Sequence, residues 1–343
     1  LQSDQWGNIY IAGTITDIYQ RDSAGNVLYD SNFFPLLHNY GKEDIWVAKY
    51  SPSGKSLWHE YAGSGNPDVI YASITDKIGN TFIAGRLSYN SFRLPHTFNK
   101  KRISNDSLTT FIAKLDSSGK LLWHKPFGFD SILSNNTVCA FNGELYLDQQ
   151  NRLHYTFISC RKQVIFKSDT IDDVWYDAEF TSNGDYIKAK RLPFRDYNSL
   201  PFIRTSSDVD KNFYFHGSFQ SDTLFLLNDT IILNGQNVAN GIILAIDSNS
   251  NYKWSFVGQN SYDPITSATF LGDTILASIN VTSFQVDTVS FGSHKYKTNN
   301  KTFQESVLLM LNSNNGNVIG LKHNSGTQSQ YSVSYSVAAN KDF

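Results

Sequence analysis

Apolar and polar residues alternate in short stretches along the chain, and most stretches are closed by Asp, Asn, Ser or Gly. In "DKIGNTFIAG", residues 76–85, an Asp and a Gly frame a turn that leads into an apolar run. An aspartate accepts hydrogen bonds from the backbone two residues on, and Gly takes a positive φ at no Cβ penalty. The pairing therefore predicts a tight reversal between two strands. "IAKLDSSGKLLW", residues 112–123, repeats the device with Asp116 and Gly119. The flanks run or alternate over strand lengths, and nowhere do apolar residues recur at helical spacing over three turns. The pattern predicts an all-β chain with almost no helix.

The strands come in copies. "WVAKYSPSGKSLWHEYAG" (46–63) and "FIAKLDSSGKLLWHKPFG" (111–128) share Lys49/Lys114, Gly54/Gly119, Lys55/Lys120, Leu57/Leu122, Trp58/Trp123 and His59/His124. Aligned on Ala48, the copies continue at Ala113, Ala178, Leu244 and Leu309, at spacings of 65, 65, 66 and 65. A second element precedes each, at 4–13, 76–85, 148–157, 208–217 and, more weakly, 269–278, with spacings of 72, 72, 60 and 61. The gap between the two elements absorbs the insertions. One unit is then two hairpins, as in "YASIT", "NTFIAG", "TTFIAKL" and "KLLWHK".

Four antiparallel strands repeated in this way predict a β-propeller of five blades, near 1–61, 62–126, 127–192, 193–257 and 258–323, forming a single domain over 1–343. A lone four-stranded sheet cannot bury its faces, whereas stacked sheets can. Trp58, Trp123 and Trp254, in the last strand of their units, are expected to be largely buried on the neighbouring blade. Residues 324–343 are expected to supply a closing strand beside residues 7–14.

"GNIYIAG…DIWVAKYSPSGKSLW" and "GNTFIAG…TTFIAKLDSSGKLLW" resemble the bacterial β-propeller repeat family of the SBBP type. The resemblance extends over nearly the whole chain and is sharp in the first two units. The third and fifth units lose the Trp, and the third loses the Gly of its first turn. The resemblance implies a secreted or cell-surface propeller and carries over no catalytic residue.

Composition narrows the picture. Aromatic residues make up 14% and charged residues 17% of the chain, and the formal net charge is −2, so no strong field draws it to nucleic acid. No apolar run is long enough for a membrane-spanning helix. No signal-peptide pattern is legible, and the start at Leu1 without Met reads as that of a mature or trimmed product. Cys139 and Cys160 have no metal-ligand spacing; they read as two buried thiols or one disulfide.

Sharper chemistry meets a plainer explanation at each motif. Ala113, Asp116, Gly119 and Trp123 approach the quinoprotein dehydrogenase repeat, but the Asp is displaced and the Thr absent. Asp boxes of sialidases need shorter gaps than those here. "DVDKN" (208–212) opens like a calcium loop, but Phe213 and Phe219 stand where Gly and Glu are needed. The histidines are scattered, and His59 and His124 are repeat equivalents. No phosphate loop, nucleophile elbow or zinc-protease motif occurs. No cofactor, metal or catalytic constellation is expected.

Asp-(Ser/Thr)-apolar triplets place hydroxyls at Ser23, Ser107, Ser131, Thr170, Thr223, Thr230, Thr274 and Thr288. The triplet is similar to the O-glycosylation signal of secreted Bacteroidota proteins, and it also reads as an ordinary strand start. The insertions 14–44 and 86–109 are expected to be contact loops. Phe33, Phe34, Leu36, Leu37, Phe92, Leu94 and Phe98 serve there either in the core or against a protein partner. The sequence thus points to an exported, surface-associated propeller, outer-membrane associated in one version, that binds another protein, with carbohydrate as the other ligand class. A lyase or glycosidase with its site in the central channel is the alternative, and converging carboxylates would mark it.

Overall fold

The structure is a computed structural model. It describes residues 2–16, 22–24, 26, 43–63, 67–87, 96–98, 101–104, 109–126, 143–148, 150–158, 164–166, 169–171, 175–192, 202–207, 212–219, 223–225, 230–232, 240–247, 251–257, 265–282, 288–291, 294–297 and 304–323. Among them there is no helix. The expected closing strand lies outside the described residues.

Five units follow one another. Unit 1 holds β1 (Gln2–Ser3), β2 (Ile9–Thr16), β3 (Glu43–Tyr50) and β4 (Ser56–Gly63). Unit 2 holds β5 (Val69–Thr75), β6 (Thr81–Leu87), the inserted hairpin β7 (His96–Phe98) and β8 (Lys101–Ser104), then β9 (Thr109–Leu115) and β10 (Leu121–Pro126). Unit 3 holds β11 (Leu145–Leu147), β12 (Leu153–Ile158), the hairpin β13 (Val164–Phe166) and β14 (Asp169–Ile171), then β15 (Trp175–Phe180) and β16 (Tyr186–Arg191). Unit 4 holds β17 (Phe202–Ser207), β18 (Phe213–Phe219), the hairpin β19 (Thr223–Phe225) and β20 (Thr230–Ile232), then β21 (Asn240–Ile246) and β22 (Tyr252–Val257). Unit 5 holds β23 (Ile265–Leu271), β24 (Thr274–Thr282), the hairpin β25 (Thr288–Phe291) and β26 (His294–Lys297), then β27 (Gln304–Asn312) and β28 (Val318–His323).

Within each unit the four long-range strands pair in chain order, all antiparallel. The expected five four-stranded antiparallel units are therefore present. The insertion 86–109 differs from the expected loop. It contains β7, which pairs with β4 (Ala62↔Phe98, Gly63↔Thr97) and extends the first sheet to six strands.

The turns explain the recurrent Asp. Asp4 Oδ1 accepts from Trp6 N (3.0 Å) and Asn8 N (2.9 Å), and Asn8 Nδ2 donates to Asp4 Oδ2. Asp76 repeats this with Ile78 and Asn80, and Asp116 with Ser118 and Lys120. In unit 3, Asp148 holds Gln150 N and Arg152 N, and Asn151 takes the positive φ (55°) that Gly supplies elsewhere. One carboxylate thus satisfies two backbone donors that the reversal strips of partners.

Each boundary between successive units encloses one apolar cluster. Ile45 and Val47 of unit 1 meet Ile83, Phe111 and Leu115 of unit 2. Phe82 and Ile112 meet Leu153, Tyr155 and Phe180 of unit 3. Tyr146 and Trp175 meet Phe213, Phe215 and Leu244 of unit 4. Tyr214, Ile243 and Trp254 meet Ile275, Val307 and Leu309 of unit 5. The core lies between sheets, so no unit has a complete core of its own.

Three boundaries carry the same lock. The indole Nε1 of Trp58 donates to Ser117 O of the next unit at 3.0 Å, Trp123 to Ser182 O at 3.1 Å, and Trp254 to Ser313 O at 3.0 Å. Each ring covers a glycine of positive φ in the receiving turn. A Cβ on Gly119, Gly184 or Gly316 would stand 2.9, 2.7 or 2.4 Å from the indole. On its own sheet each indole also meets an aromatic ring: Tyr10 at 6.1 Å, Phe82 at 6.1 Å and Tyr214 at 5.9 Å. Trp254 is buried as expected, whereas Trp58 and Trp123 are half-buried, because one edge of each ring stays at the surface.

A β-bulge precedes each lock position. Lys49 pairs with Trp58 and Tyr50 with Ser56, so Leu57 is the extra residue. The same shift isolates Leu122, Ile187, Lys253 and Ile319. A bulge re-aims the following side chain and increases local twist.

The locks make a stability prediction. Trp254→Ala should cost about 3–5 kcal/mol, the range for deleting a buried aromatic ring. Gly184→Ala should cost about 1–3 kcal/mol, from backbone strain and the clash with Trp123. Urea unfolding followed by fluorescence measures both, and an unchanged midpoint for either variant would refute the lock.

Candidate functional site

Unit 3 breaks the repeat at four positions that touch. In units 1 and 2 a Lys on the third strand lies over the aromatic ring of the second: Lys49 Nζ is 5.0 Å from the Tyr10 ring and Lys114 Nζ 4.8 Å from the Phe82 ring. In unit 3 the aromatic position holds His154, the Lys position Glu179 and the Trp position Lys188. Asp177 replaces the apolar Val47 and Ile112. The result is a charged network where units 1, 2 and 4 bring rings together.

Its geometry is closed on several sides. Tyr146 OH donates to Asp177 Oδ2 at 2.8 Å, and His154 Nδ1 is 3.0 Å from the same oxygen. The Tyr146 and His154 rings stack at 4.5 Å, and Tyr146 meets Phe213 of unit 4 edge-on at 5.4 Å. His154 Nε2 lies 3.5 Å from Asp148 Oδ2. Arg152 joins Asp148 (2.6 Å) to Glu179, and Lys188 Nζ lies 3.6 Å from Glu179 Oε2. Asp148, His154, Asp177 and Glu179 are all buried.

Burial by itself would lower the His154 imidazole pKa, but the hydrogen bond and charge of Asp177, with Glu179 and Asp148, raise it. Burial and Asp177 push the Tyr146 phenol far up, so it stays a donor. Burial opposes ionisation of Asp148, yet the hydrogen bonds from Arg152 and Gln150 hold its carboxyl below the usual carboxylate value. Lys190 is lowered by burial against the opposing pull of Asp177 and Asp247. Chemically, the network can hold a proton on His154 between two carboxylates at the boundary of units 3 and 4. Among the described residues no group of three or more His, Cys, Asp or Glu is placed to hold a metal ion.

In the sequence unit 3 loses the Trp and the turn Gly, and only the structure joins these losses to His154, Asp177 and Glu179. The legible signal was substitution at several repeat positions within one unit. The residues singled out from sequence are not gathered here. Ser23 is exposed in a turn whose Asp22 Oδ1 accepts from Ala24 N and Asn26 N, both at 2.9 Å. Thr230, at the start of β20, is exposed, whereas Thr223 in β19 and Thr274 in β24 are half-buried. Thr170 lies in β14 and Thr288 in β25. Asp169, of the Thr170 triplet, accepts from Ala189 N at 2.9 Å and from Tyr186 OH, which ties β14 to β16. Phe98 lies in β7. Ser107, Ser131, Phe33, Phe34, Leu36, Leu37, Phe92, Leu94, Cys139 and Cys160 lie outside the described residues, as does most of the calcium-like segment 208–212.

No family model matches the chain, and no curated protein sequence matches it. The resemblance to the bacterial propeller repeat family therefore rests on the motifs. Among solved structures, the quinohemoprotein alcohol dehydrogenase of Comamonas testosteroni is similar over 83% of this chain and 49% of its own, at 10% identity and TM-score 0.33. BamB of Moraxella catarrhalis is similar over 94% of this chain and 100% of its own, at 11% identity and TM-score 0.28. The V. cholerae biofilm matrix protein Bap1 is similar over 87% of this chain and 57% of its own, at 11% identity and TM-score 0.13. The chain thus spans about half the length of the Comamonas enzyme. With scores this low, these likenesses do not bear on activity or partners.

The network sets a pH dependence. His154 is raised in the folded state, so its contribution is whole below the ordinary His value of about 6.5 and is lost as pH rises through the folded value. Asp148 is lowered, so its contribution is present above about 3.9 and is lost as pH falls through the folded value. Urea midpoints measured across pH should fall on the alkaline side of this window, and His154→Gln should flatten that fall. An equal slope in the variant would exclude His154 as its source.

Proposed function

We propose that the chain is a non-enzymatic scaffold of propeller-type blades that is exported to the cell surface and binds another protein through the last strands of its units. The observation that carries this reading is the chemistry of the bulges. Leu57, Leu122, Ile187 and Ile319 are 48%, 50%, 42% and 54% exposed, and they occupy one register position in four of the five units. A bulge explains why the position is exposed, not why it is apolar; Lys253 shows that a charge is accepted there. Large apolar side chains repeated at one exposed position suit a partner that spans several units.

Two further points support the reading. The buried carboxylates of unit 3 are engaged by Arg152, His154 and Tyr146, which suits a structural network better than the free acid pair of a lyase or glycosidase. Export to the surface is supported by the family resemblance and the Asp-(Ser/Thr)-apolar triplets.

Replacing Leu57, Leu122, Ile187 and Ile319 together by Lys tests the proposal. Each exposed substitution should leave stability within about 0.5 kcal/mol. The partner recovered with the native chain from its source organism should fall at least tenfold with the variant. Equal recovery with both chains would overturn it.

A further inference from the structure

The last strands differ in charge from the rest of the chain. The chain as a whole has a formal net charge of −2. Residues 55–63, 120–126, 185–191, 251–257 and 317–323 are the last strands with their lead-in from the turn. They carry eight Lys or Arg against two acids, Glu60 and Asp185, a surplus of six positive charges. The remainder of the chain is correspondingly acidic. Five of the six belong to units 2, 3 and 4, so the surplus is a property of the body of the repeat.

Some of these charges have partners in the sheets. Lys125 Nζ lies 3.0 Å from Asp185 Oδ1 of the next unit, Lys188 Nζ lies 3.6 Å from Glu179 Oε2, and Lys190 is drawn to Asp177 and Asp247. Lys55, Lys120, Lys253 and Lys322 are exposed and form no ion pair with a described residue. In every unit an exposed lysine stands at the bulge position or close to it. Lys55 comes two residues before Leu57, Lys120 two before Leu122, Lys188 next to Ile187, and Lys322 three after Ile319; Lys253 occupies the position itself. Edge protection does not account for Lys55 and Lys120, which precede β4 and β10 rather than lie in them.

We propose that the last strands bind an acidic polypeptide, a segment of another protein in which Asp or Glu is interspersed with apolar side chains. The inference rests on the scaffold reading and gives its partner a chemistry. Opposite charge speeds encounter and sets orientation, and burial of Leu57, Leu122, Ile187 and Ile319 holds the contact. An acidic polysaccharide matches the lysines but offers little apolar surface to Leu and Ile. A bilayer interface is met through Trp and Tyr, and none of the exposed described residues on these strands is Trp, Tyr or Phe.

A photo-reactive benzoylphenylalanine in place of the exposed Leu122 tests it in the source organism. The probe is placed in the otherwise native chain, in a chain with Lys55→Glu, Lys120→Glu, Lys253→Glu and Lys322→Glu together, and in one with Arg at the same four positions. Mass spectrometry reads the composition of the linked peptide, and urea midpoints of the three chains check that each is folded. The linked segment should belong to another protein and hold more Asp and Glu than Lys and Arg. Linkage should fall about tenfold in the Glu chain and persist in the Arg chain. Linkage to a segment of neutral or positive charge, or equal linkage in the native and Glu chains, would overturn the proposal and leave the scaffold reading standing. Sedimentation of the native chain with vesicles of phosphatidylcholine and phosphatidylglycerol, but not of phosphatidylcholine alone, would overturn it in favour of an anionic bilayer. No linkage to any protein would overturn both readings.

Discussion

A four-stranded antiparallel sheet has two faces and no interior, and everything else in this molecule follows from the need to cover them. The cover is another copy of the same sheet. The indole of a last strand lies over the glycine of the next unit's turn and donates to its backbone. A ring of this size removes a large apolar area from water, at about 25 cal/mol per Å². The hydrogen bond adds about 1 kcal/mol net and fixes the register of one unit on the next. Both halves come from distant points in the chain, so neither works without the repeat.

The bulge and the aspartate turn serve that interaction. The turn holds its glycine at positive φ because Asp116 accepts the backbone N–H groups on either side of it, while its equivalents Ser51 and Thr181 accept the one that follows it. The bulge shifts the last strand by one residue and brings the indole opposite Lys49, Lys114 or Ala245. It also interrupts a sheet edge that could otherwise pair with other chains. Lys125, Lys188, Lys190, Lys253 and Lys322 stand on the same last strands, where charge deters such pairing.

Most of the architecture was legible in the spacing of Ala48, Ala113, Ala178, Leu244 and Leu309, because strand pairs of fixed length must return to the same point. The Asp and Gly of the turns that carry both were legible for the same local reason. The bulges were not. An extra residue present in every copy leaves the repeat length unchanged and so gives no sign in the alignment. The hairpins inside the insertions were missed too: "HTF" and "KRIS" are too short for alternation to declare a strand. The partner of each tryptophan, 59 positions away, became visible only when two turns could be compared in space. The unit 3 network was present as scattered departures from the repeat, and adjacency across strands joins them.

Those departures have a consequence for the order of the units. A buried ionic network contributes less to stability than rings packed in the same place, so its presence at one boundary asks for another reason. Lys188 on a last strand would bring a charge against any glycine turn built for an indole. In sequence Ser250 stands at the position of the receiving glycine, and in the occupied locks a Cβ added to that glycine would lie within 3 Å of the ring. Unit 3 therefore fits unit 4, and the tryptophan units fit the glycine turns. With near-identical sheets stacked in series, mismatched pairs at one boundary exclude stacking in the wrong sequence, and the apolar boundaries alone could not do so.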